Sequence, residues 1–268
     1  MVIDADRILA ETVVRQVDFQ RQLPSTNDRA LALAAAGDVR LPLLVIAEQQ
    51  TAGRGRGAHR WWSAEGALTF SLVWPWEHLA AGAESQSLLA IGAGLAACEA
   101  CELLAPECRF GLKWPNDVLL AGRKLGGVLI EAPGRPLECV VIGVGVNVNN
   151  TFAAAPAELR PLATSLVDAA GHPFDLLSLL IGILQRLADH VEAIRRAPAG
   201  MLAQWRRRCV LTGQRVQLTA GTRRYTGTCR GIDDRGALLL ETPTGTQRHV
   251  TGTITWAFTV GAATGCGG

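Results

Sequence analysis

Near Pro198 the chain changes its hydrophobic pattern, and the change divides it into two kinds of structure. Before it, apolar runs of strand length alternate with segments of helical period, as α/β and α+β domains do. Leu43-Leu-Val-Ile-Ala47, Leu68-Thr-Phe-Ser-Leu-Val-Trp74 and residues 139–147 predict strands, rich in β-branched or aromatic residues and bounded by Gly, Pro or Asn. Residues 118–130 predict a hairpin turning at Ala121-Gly122. One helix is expected from Ser85 to Leu104, with small residues that allow close packing. A second is expected after the N-cap Asp175, with Leu176, Leu180, Ile183, Leu184, Leu187, Val191 and Ile194 on one face. After Pro198, short alternating strands punctuated at Gly213, Gly221-Thr222, Asp233 to Gly236 and Thr244-Gly245 predict a small β-barrel. The expected division is a main domain over residues 1–205, a β domain over 206–260, and a frayed tail at 261–268 with nothing to bury.

The totals fit this plan. A chain of 268 residues with 49% hydrophobic and 19% charged residues can bury a substantial core. No run of eighteen apolar residues occurs and the first residues lack the pattern of a secretory leader, so the expectation is a cytoplasmic protein with no membrane partner. Seven cysteines are read as reduced thiols. Cys98 and Cys101 have the spacing of half a zinc site, but they fall in the expected helix and no second Cys or His pair follows; small buried residues are the better account. The net charge of +2 is uneven, with nine Arg after residue 200 against Asp233, Asp234 and Glu241. Such a basic end suits nucleic acid, an acidic protein partner or a plain solvated face.

Chemistry is indicated by the lysines. Of 26 basic residues only Lys113 and Lys124 are lysine, and they lie in one short segment. On a solvated surface either cation serves, so a chain that otherwise writes Arg has reason to keep Lys where a compact ammonium is needed. Lys113-Trp-Pro-Asn-Asp117 gathers an ammonium, an amide and a carboxylate around a stiffened turn. That set suits a nucleotide and its Mg²⁺, or simply a turn with Trp114 in the core. In Arg123-Lys-Leu-Gly-Gly127 the glycines leave room beside Lys124, which can stabilise charge developing between an acyl group and a phosphate. Upstream, Gly53-Arg-Gly-Arg-Gly57 has the composition of an anion-binding loop, although it is neither a P-loop nor a dinucleotide fingerprint. Gly143-Val-Gly-Val-Asn147 reads as a buried strand whose glycines admit a close neighbour.

Together with Pro24-Ser-Thr-Asn-Asp28, these motifs in this order resemble the biotin–protein ligases, over about residues 23–250. Residues 230–241 also look like that family's small SH3-like C-terminal domain. The resemblance implies an α/β catalytic domain on a mixed sheet, with biotin, ATP and Mg²⁺ as ligands. It implies that biotin is activated to biotinyl-5′-AMP and then transferred to a lysine of the biotin carboxyl carrier domain of acetyl-CoA carboxylase. Carried over by position, Ser25, Thr26, Asn27 and Gln50 would hold the ring and ureido group of biotin. Arg54, Gly55 and Arg56 would cover the carboxylate and phosphate, and Lys124 would sit at their junction. Arg54, Trp61, Asn116, Asp117 and Asn147 would line the nucleotide side; Lys124, Arg56 and Asp117 are the expected catalytic set. The metal ligands are left open.

The chain departs from the family pattern at Ala58 and His59, where Gly and Arg are usual, which puts loop closure in question. His59 is either a phosphate contact or an exposed side chain, with exposure favoured, and Trp62 is either a ring wall or an ordinary aromatic. About two dozen residues precede Ser25, too few for the helix-turn-helix of the family's repressor members, so the monofunctional type is expected, as monomer or weak homodimer and without nucleic acid. The competing readings are a lipoate or octanoate ligase of related fold and a nucleic-acid-binding module using the Arg/Gly/Trp loop.

Overall fold

The computed structural model describes residues 3–57, 59–76, 82–133 and 139–256, so that Ala58 and the tail at 261–268 lie outside the described residues. The chain begins with α1 (Ala5–Glu11), β1 (Gln16–Leu23), α2 (Thr26–Ala36), β2 (Leu43–Gln50) and β3 (Leu68–Pro75). α3 (Ala83–Leu104) leads to β4 (Phe110–Lys113), β5 (Asp117–Leu120), β6 (Arg123–Glu131) and β7 (Cys139–Val146). Then come α4 (Leu166–Ala170), α5 (Leu176–Arg196) and α6 (Ala199–Arg208). The chain goes on through β8 (Arg215–Ala220), β9 (Arg223–Ile232), β10 (Leu238–Thr242), β11 (Gly245–His249) and β12 (Thr253–Trp256).

The first seven strands form one sheet in the order β1-β2-β3-β7-β6-β5-β4. Only β1 and β2 run parallel, so the sheet is mixed, as the resemblance implied. The last five form an antiparallel sheet in the order β11-β10-β9-β8-β12. The hairpin between β5 and β6 turns where expected, with Ala121 and Gly122 both at positive φ (48° and 79°), the requirement of a tight two-residue loop. Asp175 caps α5 by accepting from the Leu177 amide, and the predicted apolar face is turned inward.

Four helices were not expected from the sequence, the short α1 and α4 and the longer α2 and α6. α2 starts inside the Pro24-Ser-Thr-Asn-Asp28 motif, with Ser25 as its cap; its eleven residues are mostly alanine and leucine, and only Thr26, Asn27, Ala30 and Ala34 are buried. α6 occupies the first residues after Pro198, where strands were expected, because Met201, Leu202 and Trp205 bury a single short face. The β strands begin only at Arg215, and α6 runs through position 205.

α3 is the hub of the core. It is long and apolar enough to cross a bilayer by composition, yet it lies against the sheet on one side and α5 and α6 on the other, with Cys98 and Cys101 fully buried. Burial holds the Cys101 thiol up at about 12, which leaves it an inert packing group. α2 covers the other face of β2, β3 and β7.

The small sheet is docked on this core rather than tethered to it, since its buried leucines and valines continue the same hydrophobic cluster. The turn at Asp233–Gly236 seats on α3, where the Gly236 carbonyl accepts from the indole Nε1 of Trp114 at 3.0 Å. Arg248 pairs with Glu84 at 2.7 Å, Arg208 forms two bonds to Glu102, and Arg206 pairs with Asp234 at 2.7 Å. Part of the basic character of the C-terminal end is therefore spent inside the molecule. Trp114→Phe keeps an aromatic ring but leaves the Gly236 carbonyl only the longer bond from Ser87 Oγ at 3.4 Å, and we expect a loss of about 1 kcal/mol or more in urea unfolding with both sheets intact by circular dichroism. Unchanged stability would show that this contact does not hold the domains together.

Candidate active site

A cavity of about 540 Å³ opens between the N-terminus of α2, the loop at residues 51–60, the β4–β5 turn and the start of β12. Both lysines of the chain line it, together with Arg54, Arg56 and Arg60, against a single lining carboxylate, Asp117. That imbalance favours anionic ligands.

Its floor is made by β7. A Cβ on Gly143 would fall 2.0 Å from Oδ1 of Asn27, and one on Gly145 would fall 2.6 Å from the indole of Trp61. The two glycines therefore admit the groups on either side of them, as the glycine-rich strand predicted. Over Gly143 lies a polar chain. Gln50 Oε1 accepts from the Thr26 amide at 2.7 Å, and Ser71 Oγ lies 2.8 Å from Thr26 Oγ1 and 2.6 Å from Asn27 Oδ1. Asn27 Nδ2 donates to Glu131 Oε2 at 2.7 Å. Ser25, Thr26, Asn27 and Gln50 are thus brought together as expected, Ser25 in the double role of wall and helix cap.

The Gly-Arg loop closes on itself through a bridge between Arg54 and Arg60, with Gly55 donating to the His59 carbonyl at 2.8 Å. Arg54 is fully committed: it grips Glu131 with two nitrogens (2.9 and 2.7 Å) and reaches Asp28 at 2.7 Å. Burial pushes the Glu131 carboxyl up, but the bonds from Arg54 and Asn27 outweigh it and hold it below the usual range. Arg56 instead reaches the small domain, donating to the Gly252 carbonyl at 3.2 Å and Thr251 Oγ1 at 3.3 Å. Its burial works against the charge, with Asp117 partly compensating. His59 is exposed at the rim.

At the other wall Lys124 Nζ lies 2.6 Å from Asp117 Oδ1, and Gly127 leaves open the space beside the ammonium. Lys113 is pushed down by burial and by the nearby Lys124, against the pull of Asp117. Trp61 lines the cavity with its Nε1 buried and unpartnered. Asn116 also lines it, although its amide is spent on the Val128 carbonyl at 2.6 Å. Asn147 is not brought in: it is buried behind the wall, where its side chain accepts from Asn150 at 3.1 Å. Trp62 faces away and packs on Phe152 with centroids 5.2 Å apart.

Three sets of residues went unnoticed in the sequence. Ser71 is a polar residue inside an apolar strand, a signal that was available. Glu131 closes the Lys124 strand and was given no role. Thr253, Ile254 and Thr255 come from the far end of the chain, and no local pattern marks them.

A mixed sheet thus carries a cationic, polar-floored cavity under a Gly-Arg loop, with a small antiparallel sheet at its rim. Residues 19–147 match the biotin/lipoate A/B protein ligase family and residues 211–253 match the biotin protein ligase C-terminal domain. The biotin–[acetyl-CoA-carboxylase] ligase of Mycobacterium tuberculosis is 37% identical over 230 residues, covering 85% of this chain and 84% of that protein. The Paracoccus denitrificans protein of the same name is 34% identical, covering 83% and 93%. The biotin protein ligase of Aquifex aeolicus, solved in complex with biotin and ATP, superposes with a TM-score of 0.78 at 27% identity over 90% of this chain and 98% of that one. The chain belongs to the biotin protein ligase family.

Gly143→Ala should force Asn27 out of its place and cost about 1–3 kcal/mol by overpacking. A thermal melt should show the loss, and a crystal structure the displaced amide; an unmoved Asn27 at full stability would contradict the close approach.

Proposed function

We propose that this protein activates biotin with ATP and transfers it to a lysine of a biotin carboxyl carrier domain, that of acetyl-CoA carboxylase. The observation that carries this reading is that the two lysines and the Gly-Arg loop, far apart in sequence, meet over a floor of hydrogen-bonding groups in one cavity. The family supports biotin as the acid, and its members include ligases named for acetyl-CoA carboxylase.

In the first step a biotin carboxylate oxygen bonds to the α-phosphorus of ATP. The bond from that phosphorus to its bridging oxygen breaks and pyrophosphate leaves. In the second, the ε-amine of the carrier lysine attacks the acyl carbon, the carbon–oxygen bond to phosphate breaks, and AMP leaves as the amine gives up its proton. Both steps move negative charge across the junction of carboxylate and phosphate, where Lys124 stands with an open flank at Gly127. Asp117 keeps that ammonium aimed, and as a lining oxygen donor it is also the group suited to the Mg²⁺ that accompanies ATP, whose charge would offset that of the phosphates. Thr26, Asn27 and Gln50 hold the ureido head, while Trp61 stands on the nucleotide side with its free N–H. Arg56 ties the loop to the small domain, so that closure over the reactive adenylate excludes water.

The decisive assay is ATP–pyrophosphate exchange with biotin, lipoate or octanoate. Exchange that requires biotin is expected; exchange with lipoate alone would move the substrate, and none with any acid would remove the activity. Lys124→Arg keeps the charge but misplaces it, and should lower exchange on the order of a hundredfold or more with the fold intact. Near-normal turnover would take Lys124 out of its role. Arg56→Gly cuts the tether, and biotinyl-AMP should leak and label bystander lysines; labelling confined to the carrier domain would contradict that role for the tether.

A further inference from the structure

The buried hydrogen bonds under the cavity have a direction. A carboxylate can only accept, so the Asn27 nitrogen that lies 2.7 Å from Glu131 Oε2 must be its NH₂, and the same nitrogen also faces the Leu129 carbonyl at 3.5 Å. Oδ1 is therefore turned toward Ser71, whose hydroxyl proton it takes at 2.6 Å. Ser71 has one proton, so its 2.8 Å contact with Thr26 must be a bond donated by the Thr26 hydroxyl. The Thr26 hydroxyl also lies 3.1 Å from Gln50 Oε1, which accepts from the Thr26 backbone N–H at 2.7 Å, but the 2.8 Å approach of the Thr26 and Ser71 oxygens needs a proton between them, and with the Ser71 proton on Asn27 only Thr26 can supply it. The chain runs from Thr26 to Ser71 to Asn27 to Glu131, and every proton in it is spent inward. What Thr26 Oγ1 and Asn27 Oδ1 have left for the cavity is lone pairs.

We propose that Glu131 is the positioning residue that sets this polarity, making the floor an acceptor surface that selects a ligand ring carrying N–H groups. This rests on the biotin reading and deepens it. A ureido ring offers two N–H donors, whereas the dithiolane ring of lipoate offers none and would leave the acceptors desolvated and unpaired. Glu131 is not a catalytic residue in this account; it acts through Asn27 and Ser71. The same carboxylate holds Arg54 with two bonds, so the loop and the recognition floor share one anchor.

Glu131→Gln keeps size and hydrogen bonding but can present an N–H to Asn27, so the direction is no longer imposed. Ser71→Ala breaks the chain one step away without touching Arg54. Each should be assayed by biotin-dependent pyrophosphate exchange against the wild type. The substrates are biotin and its two cyclic carbamate analogues, in which one ureido N–H is replaced by a ring oxygen. The wild type should reject at least one analogue strongly. Both variants should raise the KM for biotin by about tenfold or more and lose most of the discrimination against that analogue, and Ser71→Ala, which leaves Arg54 its carboxylate, should keep kcat within about twofold. A biotin KM within about twofold of wild type, or a raised KM with discrimination retained, would overturn the inference. Should Glu131→Gln fail to fold, Ser71→Ala carries the same two outcomes. If the wild type shows no biotin-dependent exchange, the substrate reading falls first and this inference with it; normal wild-type exchange with unchanged variants overturns the inference alone.

Discussion

The site depends on two places along β7 where there is no side chain. The strand is the middle of a seven-stranded sheet, buried along its whole length, and a sheet packed on both faces ordinarily fills every position with a branched residue. At Gly143 and Gly145 it does not, and the space that a Cβ would take holds the Asn27 amide and the Trp61 indole. Both polar groups are thereby brought against backbone. One consequence is the chain of bonds through Ser71 and Glu131. The other is the indole N–H of Trp61, which has no partner among the described residues.

The second constraint is that the cavity is closed by parts distant in sequence. Residues 253–255 line it, and Arg56 reaches 196 residues along the chain to the Gly252 carbonyl. Those contacts exist only because the small sheet is seated firmly elsewhere: on α3, on the Trp114 indole, and through Val210, whose amide pairs with the Leu112 carbonyl at the edge of β4. β4 leads directly into Lys113. The packing that positions the small domain is thus continuous with the packing that positions the cationic wall, and separating stability from function at this junction is a matter of which face of Trp114 is considered.

Much of this was legible. The strands at 43–47, 68–74 and 139–147, the Ala121-Gly122 turn and the cap at Asp175 follow from local chemistry, and the structure has them, whereas β1 and β4 were not foreseen. The lysines were legible because the rest of the chain is written in arginine, and both line the cavity. α2 was not, because an alanine-rich helix with few buried residues carries almost no periodic signal. α6 was hidden by its position directly after a proline, at the head of a segment whose turn signals announce strands. Asn147 was expected on the nucleotide side by position in the motif, but position cannot say which side of a strand end a side chain takes, and it turned inward to Asn150. Glu131 was visible as the last residue of a motif; its significance lies in a contact across 104 residues, which no sequence window contains.

The two loop arginines show how little composition says about available charge. Arg54 and Arg56 are two residues apart and both line the cavity. Arg54 is neutralised by two carboxylates, Glu131 and Asp28, so its guanidinium adds order to the loop but little net potential to the cavity. Among the described residues Arg56 hydrogen-bonds a carbonyl and a hydroxyl, both uncharged, and its positive charge is offset in part by Asp117 across the cavity. Burial opposes that charge, so an anion entering the cavity would relieve the cost of keeping it there. The loop is thus pinned at one arginine and poised at the other, and the poised one is tied to the domain that completes the wall.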